Sequence, residues 1–390
     1  MFKHRLYPSK TQTRTLEEQL ELCRQTYNWL LAGCRETYET TGKNPSQFDL
    51  NKIITCLKNQ RSEIRSVHSQ VLQNISKRIK EGYSNFFARR NAGLKAGLPR
   101  FKKYGTYKSI TYPQSGFNIV GNKLILSKIE SVRIKQHREI QGQIKTLTVK
   151  RMPSGKWFAS FSCVVEAQPK EKPFKDVGID VGLNSYAVLS DGTRIENPRY
   201  YRNSEKRLAR LQKTLSPKKK GSNNRNKARI KVARFHEYIQ NRRSDFLHKA
   251  SRVIADAYET VYVEDLKIGD MVKNHCLAKS ISDAGWGSFI NMIAYKAESA
   301  GGRLLKVDPR NTTQNCSQCG EHVKKSLSDR IHKCPHCGLI MDRDLNASKN
   351  VLKIGRGSPE FKPAEDRTTT PQMVVQVYPV KQEASLLVER

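Results

Sequence analysis

Val177-Gly178-Ile179-Asp180-Val181, followed by Tyr186-Ala187-Val188-Leu189 and the turn Ser190-Asp191-Gly192, decides how the second half of the chain folds. Two short apolar runs, close together and closed by Asp-Gly, read as adjacent strands. Thr260-Val261-Tyr262-Val263-Glu264 and Arg303 to Val307 read as further strands, and Asp283 to Ala300 as a helix. Between them lies a strongly basic helical region. Arg202 to Lys249 holds 16 Lys/Arg against 3 Asp/Glu, yet Ala228, Val232, Phe235, Ile239, Phe246, Ala250, Val253 and Ala257 keep an apolar seam at heptad-like spacing. This predicts a folded helix with one buried face, and a charge bias too lopsided for solvation alone. The order is strands, helix, strand, helix, strand, a cysteine module and a last helix: an α/β layered domain.

Working back towards the N-terminus, Pro169, Lys170, Lys172 and Pro173 read as a linker. Before it, from about 106 to 167, Leu124-Ile125-Leu126, Val132-Arg133-Ile134, Leu147-Thr148-Val149 and Trp157 to Phe161 are separated by turn residues, as in a small antiparallel barrel or sandwich. From Thr11 to about Ala96 the period is helical: Leu16, Leu20, Cys23, Tyr27 and Leu31 form one stripe, and Val71, Ile75, Ile79, Tyr83 and Phe86 another. The plain reading of both is helical core. Residues 2–7 fit a short strand ending at Pro8. Beyond Gly355, Pro359, Pro363, Pro371 and Pro379 with little periodicity predict a mobile tail.

The 71 Lys/Arg against 36 Asp/Glu leave +35, where a soluble domain needs only about 2–8. Such an excess calls for a polyanionic partner. A membrane is the weaker candidate, because no apolar run approaches the roughly 20 residues that span a bilayer. Nucleic acid is the better one. Met1 to Tyr7 lacks the apolar region of a secretory signal, and Cys23, Cys34, Cys56, Cys163 and Cys276 are scattered and odd in number. A reducing cytoplasm fits both facts.

Four further cysteines form two knuckles, Cys316-x-x-Cys319 and Cys334-x-x-Cys337, 14 residues apart and each followed by glycine. Four thiolates so placed suit one tetrahedral Zn²⁺ with no open position, hence a structural ion. His322, His332 and His336 lie nearby but are not needed as ligands, and read as polar surface.

Asp180 lies in a strand, Glu264 closes another, and Asp344 opens the last helix. Taken singly, each has an ordinary reading as a turn residue, a surface charge or a helix cap. Together they have the order required of a phosphodiester-cleaving site, where two Mg²⁺ about 4 Å apart are held by hard carboxylate oxygens. Spacing leaves Asp265 and Asp342 open as alternatives to their neighbours.

A family resemblance attaches to these residues. Asp329-Arg330-Ile331-His332, Cys334-x-x-Cys337-Gly338 and Asp342-Arg343-Asp344-Leu345-Asn346-Ala347-Ser348 resemble the C-terminal signature of the TnpB family, transposon-encoded proteins similar to type V CRISPR effectors. Arg5-Leu6-Tyr7-Pro8, Gly178 to Gly182, Val263 to Leu266, Ser280 to Trp286 and Asn315 to Gly320 match the same pattern in the same order, so that the likeness spans about residues 1–353. It implies a multidomain α+β chain. Residues 1–10 and 99–172 would form a β-barrel wedge domain and 11–98 an inserted helical recognition domain. Residues 173–310 and 341–354 would form a RuvC-like (RNase H-type) α/β nuclease domain, with 311–340 as an inserted four-cysteine zinc ribbon and 355–390 as the tail.

The implied activity is Mg²⁺-dependent DNA cleavage directed by a guide RNA from the transposon end, on double-stranded target DNA beside a short motif, by a protein monomeric on its RNA. Asp180, Glu264 and Asp344 fall on the catalytic positions, which favours Glu264 over Asp265 and Asp344 over Asp342. Base pairing then reads sequence while the protein reads duplex shape. Gln73 and Asn74 resemble a family segment near the target duplex and have the side chains to read adenine, although a polar helix face is the simpler reading. Arg225 and Arg229 in the basic region and Arg330 beside the site are expected to contact nucleic acid. A guide-independent RuvC-like nuclease or transposase, and a nuclease-inactive binding regulator, are the alternatives. The intact carboxylates argue against the regulator, and the helices and strands ahead of residue 173 exceed what a minimal nuclease needs.

Overall fold

The computed structural model describes residues 1–165, 175–326 and 328–357, in two compact units divided after Val165. The linker expected at Pro169 to Pro173 and the tail beyond Gly357 lie outside the described residues.

The first unit begins with β1 (Phe2–Tyr7), α1 (Lys10–Thr41), α2 (Gln47–Gln60) and α3 (Ser69–Asn91). Pro8 ends the strand, and Ser9 starts α1 through a capping box with Gln12, which satisfies two backbone donors reciprocally. Six strands follow: β2 (Ser109–Tyr112), β3 (Phe117–Val120), β4 (Lys123–Leu126), β5 (Glu130–Lys135), β6 (Gln143–Arg151) and β7 (Trp157–Val164). They join β1 in one antiparallel sheet of order β2-β6-β7-β1-β5-β4-β3. The N-terminal strand is therefore central, and the three helices are an excursion between it and the rest. Alternation is strict along β7, every second residue being buried. Strand residues Leu6, Val132 and Phe161 share one core with Leu16, Leu30 and Leu72 of the helices. The sheet approaches the expected barrel, but among the described residues no ladder joins its edge strands β2 and β3.

In the second unit β8 (Asp176–Val181), β9 (Ser185–Leu189) and β10 (Arg194–Glu196) form an antiparallel meander. The basic region, read from sequence as one helix, is two: α4 (Tyr200–Leu215) and α5 (Asn223–Ala257). The break falls at Ser216 to Gly221, where Pro217 and a glycine at φ 84° interrupt the helix. Next come β11 (Thr260–Glu264), the short α6 (Ile268–Met271) and α7 (Ala278–Ala284), α8 (Trp286–Ser299) and β12 (Arg303–Val307). The hairpin β13 (Ile331–Lys333) and β14 (Ile340–Asp342) leads directly into α9 (Arg343–Gly357). The main sheet runs β10-β9-β8-β11-β12, with β8, β11 and β12 parallel. Interior strand β11 is buried at every residue, as a parallel strand covered on both faces should be.

The two faces of this sheet have different partners. Val177, Ile179, Val261 and Val263 pack with Leu247 and Ile254 of α5 and Phe289 and Ile293 of α8. The alternate residues face α9, and two glycines let it approach. A Cβ on Gly178 would fall on the Ser348 carbonyl oxygen and the Leu352 amide nitrogen, and one on Gly355 would fall into the Tyr262 ring. The predicted α5 seam needs one correction: Val253 is 69% exposed, and Leu247, Ser251 and Ile254 are buried in its place. The tail boundary shifts slightly too, because α9 continues through Gly357.

Candidate functional site

Strand alternation places the first two carboxylates. Asp180 is two residues beyond Gly178 and Glu264 two beyond Tyr262, so both point to the α9 face. Val263 pairs with Ile179 in the parallel ladder, so the next residues, Glu264 and Asp180, are neighbours on strands about 4.8 Å apart. The first turn of α9 brings Asp344 to the same patch. Each of the three is only 8% exposed. Burial raises the Asp180 carboxyl well above its usual range, and the negative charges of Glu264 and Asp344 raise it further, with Arg343 pulling the other way. Burial also raises Glu264, opposed by the Thr312 hydroxyl, which donates to its Oε1 at 2.5 Å. The Arg343 guanidinium meets Asp344 Oδ1 at 3.1 and 3.2 Å.

The neighbouring acids that spacing left open have other partners. Asp342 Oδ1 accepts from the amides of Asp344 and Leu345, both at 3.0 Å, which makes it the N-cap of α9, and its Oδ2 pairs with Arg194 at 3.0 Å. Asp265 faces solvent and pairs with Lys306 at 2.8 Å. Three buried carboxylates sharing one patch are costly without a cation, and hard oxygens are the donors that divalent Mg²⁺ prefers. Their donor chemistry, three carboxylates, is of that class.

The four cysteines converge, with ligand atoms all within 4.8 Å of one another; among the described residues this is the cluster compact enough to enclose a single ion. Each knuckle closes by paired backbone bonds. Cys316 donates to Glu321 O and accepts from Gly320 N, and Cys334 donates to Leu339 O and accepts from Gly338 N. The turns require φ of 87° at Gly320 and 75° at Gly338, where a side chain would be strained. Burial opposes ionisation of Cys316, but backbone hydrogen bonds at Cys319 and Gln318 and the His332 ring outweigh it, bringing the thiol down to about 5. His322 and His336 are exposed as expected. His332 is not surface: it is fully buried against Cys316, because its strand turns it under the thiols.

Of the residues expected to touch nucleic acid, Gln73, Arg229 and Arg330 are exposed. Two have internal work. Asn74 Oδ1 accepts from Arg78 at 2.9 Å, and the Arg225 guanidinium donates to the carbonyls of Leu215, Ser216 and Lys218, tying α5 to the end of α4. Sequence reading missed Thr312, Arg343 and the roles of Asn346 and Asn350. Asparagine is a poor former of helix interiors, so two spaced one turn apart on α9 were a signal available in the sequence.

Fold and site define a strongly basic α/β protein with a buried carboxylate patch and a thiol cluster that could hold a metal ion. Three family profiles match it: one described as "Probable transposase" over residues 160–275, "Cas12f1-like, TNB domain" over 286–351, and "Helix-turn-helix domain" over 1–43. That last stretch here forms β1 and the single helix α1. A Streptomyces pristinaespiralis protein named "Putative RNA-guided DNA endonuclease" is 34% identical over 91% of this chain and 89% of its own length. Escherichia coli (strain K12) has "Putative RNA-guided DNA endonuclease InsQ", 32% identical over 91% and 92%. Among solved structures, "Cryo-EM structure of the Cas12f1-sgRNA-target DNA complex" aligns with a TM-score of 0.58 at 18% identity, covering 91% of this chain and 84% of that one. "Structure of the mini-RNA-guided endonuclease CRISPR-Cas_phi3" aligns at 0.55 and 9%, covering 93% of each, so both likenesses are of fold alone. The chain belongs to the TnpB family. No helix among the described residues is long and apolar enough to cross a membrane.

Proposed function

We propose that this protein is an RNA-guided, Mg²⁺-dependent DNA endonuclease of a mobile element, cutting double-stranded target DNA beside a short motif. The observation that carries the reading is the burial of Asp180, Glu264 and Asp344 in one patch, at the ends of two adjacent parallel strands and one helix. In this reading the three carboxylates hold two Mg²⁺, and Cys316, Cys319, Cys334 and Cys337 hold one structural Zn²⁺. Bound there, such ions would supply Lewis-acid stabilisation of the charge that develops on the reacting phosphate. The protein's part is to keep the carboxylates ionised and aimed. Thr312 donates to Glu264, Arg343 offsets the charge at Asp344, and Asp342 holds the helix turn that carries it. The exposed basic residues of α4 and α5 hold phosphates without reading sequence.

The domain assignments follow the same reading. Residues 1–10 and 99–172 form the wedge, 11–98 the recognition domain, 173–310 and 341–354 the RuvC-like nuclease, and 311–340 the zinc ribbon. The partners are a guide RNA from the transposon end and target DNA, with one protein chain per RNA in the reducing cytoplasm. Asp180→Ala should abolish cleavage and leave RNA binding intact, as checked by plasmid cleavage and filter binding; undiminished cleavage removes the site assignment. Sequencing of RNA co-purified with the protein should return a discrete species from its own locus. Random RNA together with unguided cutting would establish the guide-independent nuclease instead.

A further inference from the structure

Glu264 and Asp344 come from segments about 80 positions apart in the sequence, and Glu264 and the helix that carries Asp344 are both tied to the short stretch Thr312 to Ser317. Thr312 is 2% exposed, and its single hydroxyl proton has two acceptors in reach, Glu264 Oε1 at 2.5 Å and Pro309 O at 3.1 Å. The shorter contact engages one oxygen of Glu264. The carbonyl of Thr312 accepts from Asn350 Nδ2 at 2.8 Å. The same Asn350 amide donates its second proton to Asn315 O at 2.7 Å. One turn back on α9, Asn346 brackets Cys316: its Nδ2 donates to Asn315 O at 2.8 Å and its Oδ1 accepts from Ser317 N at 2.9 Å. Both asparagines are buried, at 0% and 5% exposure, so these bonds are not exchanged with water. Asp344 lies two residues ahead of Asn346 on the same helix.

We propose that Thr312, Asn346 and Asn350 form a positioning strap, in which the Thr312 hydroxyl aims Glu264 at its metal and the two asparagines lock that loop to α9 and to the Cys316 knuckle. This rests on the reading that Glu264 and Asp344 ligate the catalytic cations. The strap explains why two buried amides occupy a helix face that apolar residues would fill more cheaply. It also gives the cysteine module a role in catalysis without a ligand of its own in the cleavage site. The knuckle is the fixed post to which one carboxylate is tied by Thr312 and the helix of another by Asn346.

Residues that orient a metal ligand change metal affinity by about 10–100-fold when removed. Thr312→Val keeps the shape and removes the hydroxyl, while Thr312→Ser keeps the hydroxyl. Mn²⁺ binding to the full chain with its RNA, measured by calorimetry, should weaken by about 10-fold or more in Thr312→Val and be restored in Thr312→Ser. The Mn²⁺ concentration for half-maximal cleavage should rise in parallel, with thiol-bound metal content unchanged. Asn350→Ala should weaken Mn²⁺ binding in the same direction, and the double variant should lose less than the product of the two factors, as coupled residues do. Wild-type Mn²⁺ affinity in Thr312→Val, equal impairment of the Val and Ser variants, or independent effects of Thr312 and Asn350 would overturn the strap. Glu264→Ala separates the two ideas. If it abolishes Mn²⁺ binding and cleavage while Thr312→Val changes neither, only the strap fails; if Glu264→Ala is neutral, the site reading fails with it.

Discussion

At the scale of the residue, the carboxylate patch is a group of acids held where acids are unfavourable. Asp180 is raised by burial first and by two like charges second, so both favour its protonated form over its charged one. A carboxyl whose folded pKa lies above its unfolded value adds stability that is full below the unfolded pKa and is lost as pH rises through the folded one. In chelator, therefore, the melting temperature should fall as pH rises from the ordinary aspartate range through the raised value. Asp180→Asn should flatten that fall, melting above wild type at neutral pH and converging with it in acid. A scan in which the variant is less stable at every pH would show that the charge is already compensated. The same scale shows the limits of sequence reading. The cysteine cluster was legible from local spacing, whereas Asp180 taken alone reads as an ordinary turn residue. Neither Asp342 and Asp344 nor Glu264 and Asp265 could be separated by spacing, because adjacent positions on a strand or a helix turn differ only in what each faces. The cap bonds of Asp342 and the solvent exposure of Asp265 make that distinction physical.

At the scale of the element, α9 is the helix on which the site depends. It crosses β8 and β11 at glycine distance, and at Gly178 a side chain would meet helix backbone. Gly178→Ala inserts a methyl into backbone, which cannot give way as a flexible side chain would. The expected cost is about 1–3 kcal/mol. The helix should lift off the sheet, carrying Asp344 away from Asp180, so thermal denaturation should show a lower midpoint and cleavage should drop more than RNA binding. Full activity with an unchanged midpoint would mean that α9 tolerates the extra methyl. Helix α5 shows why a correct apolar pattern can still miss a face. Its first half packs on α4 through Phe235 and Ile239, and its second half packs on the sheet and α8 through Leu247 and Ile254. One seam drawn through both placed Val253 inside, where the change of partner leaves it in solvent.

At the scale of the whole molecule, a net charge of +35 makes binding to any polyanion steeply dependent on salt. Each phosphate neutralised contributes about 0.9 to the slope of log affinity against log salt on duplex DNA. Replacing exposed Lys227, Arg229 and Lys231 by glutamine should shallow that slope by about 0.9 for every phosphate no longer neutralised, measured by fluorescence anisotropy over a salt series. An unchanged slope would assign these three side chains of α5 to solvent. By itself the sequence determined the order of most elements, the spacing of the cysteine module and the large excess of positive charge. Those properties come from periodicity, fixed spacing and summed charge, which are local or additive. Only the tertiary structure decided which acids are buried together, that His332 lies beneath the thiols, that Arg225 serves the fold, and that Thr312 reaches Glu264. Each of these depends on the register between segments far apart in the chain, set by which faces pack and where a glycine lets two backbones meet.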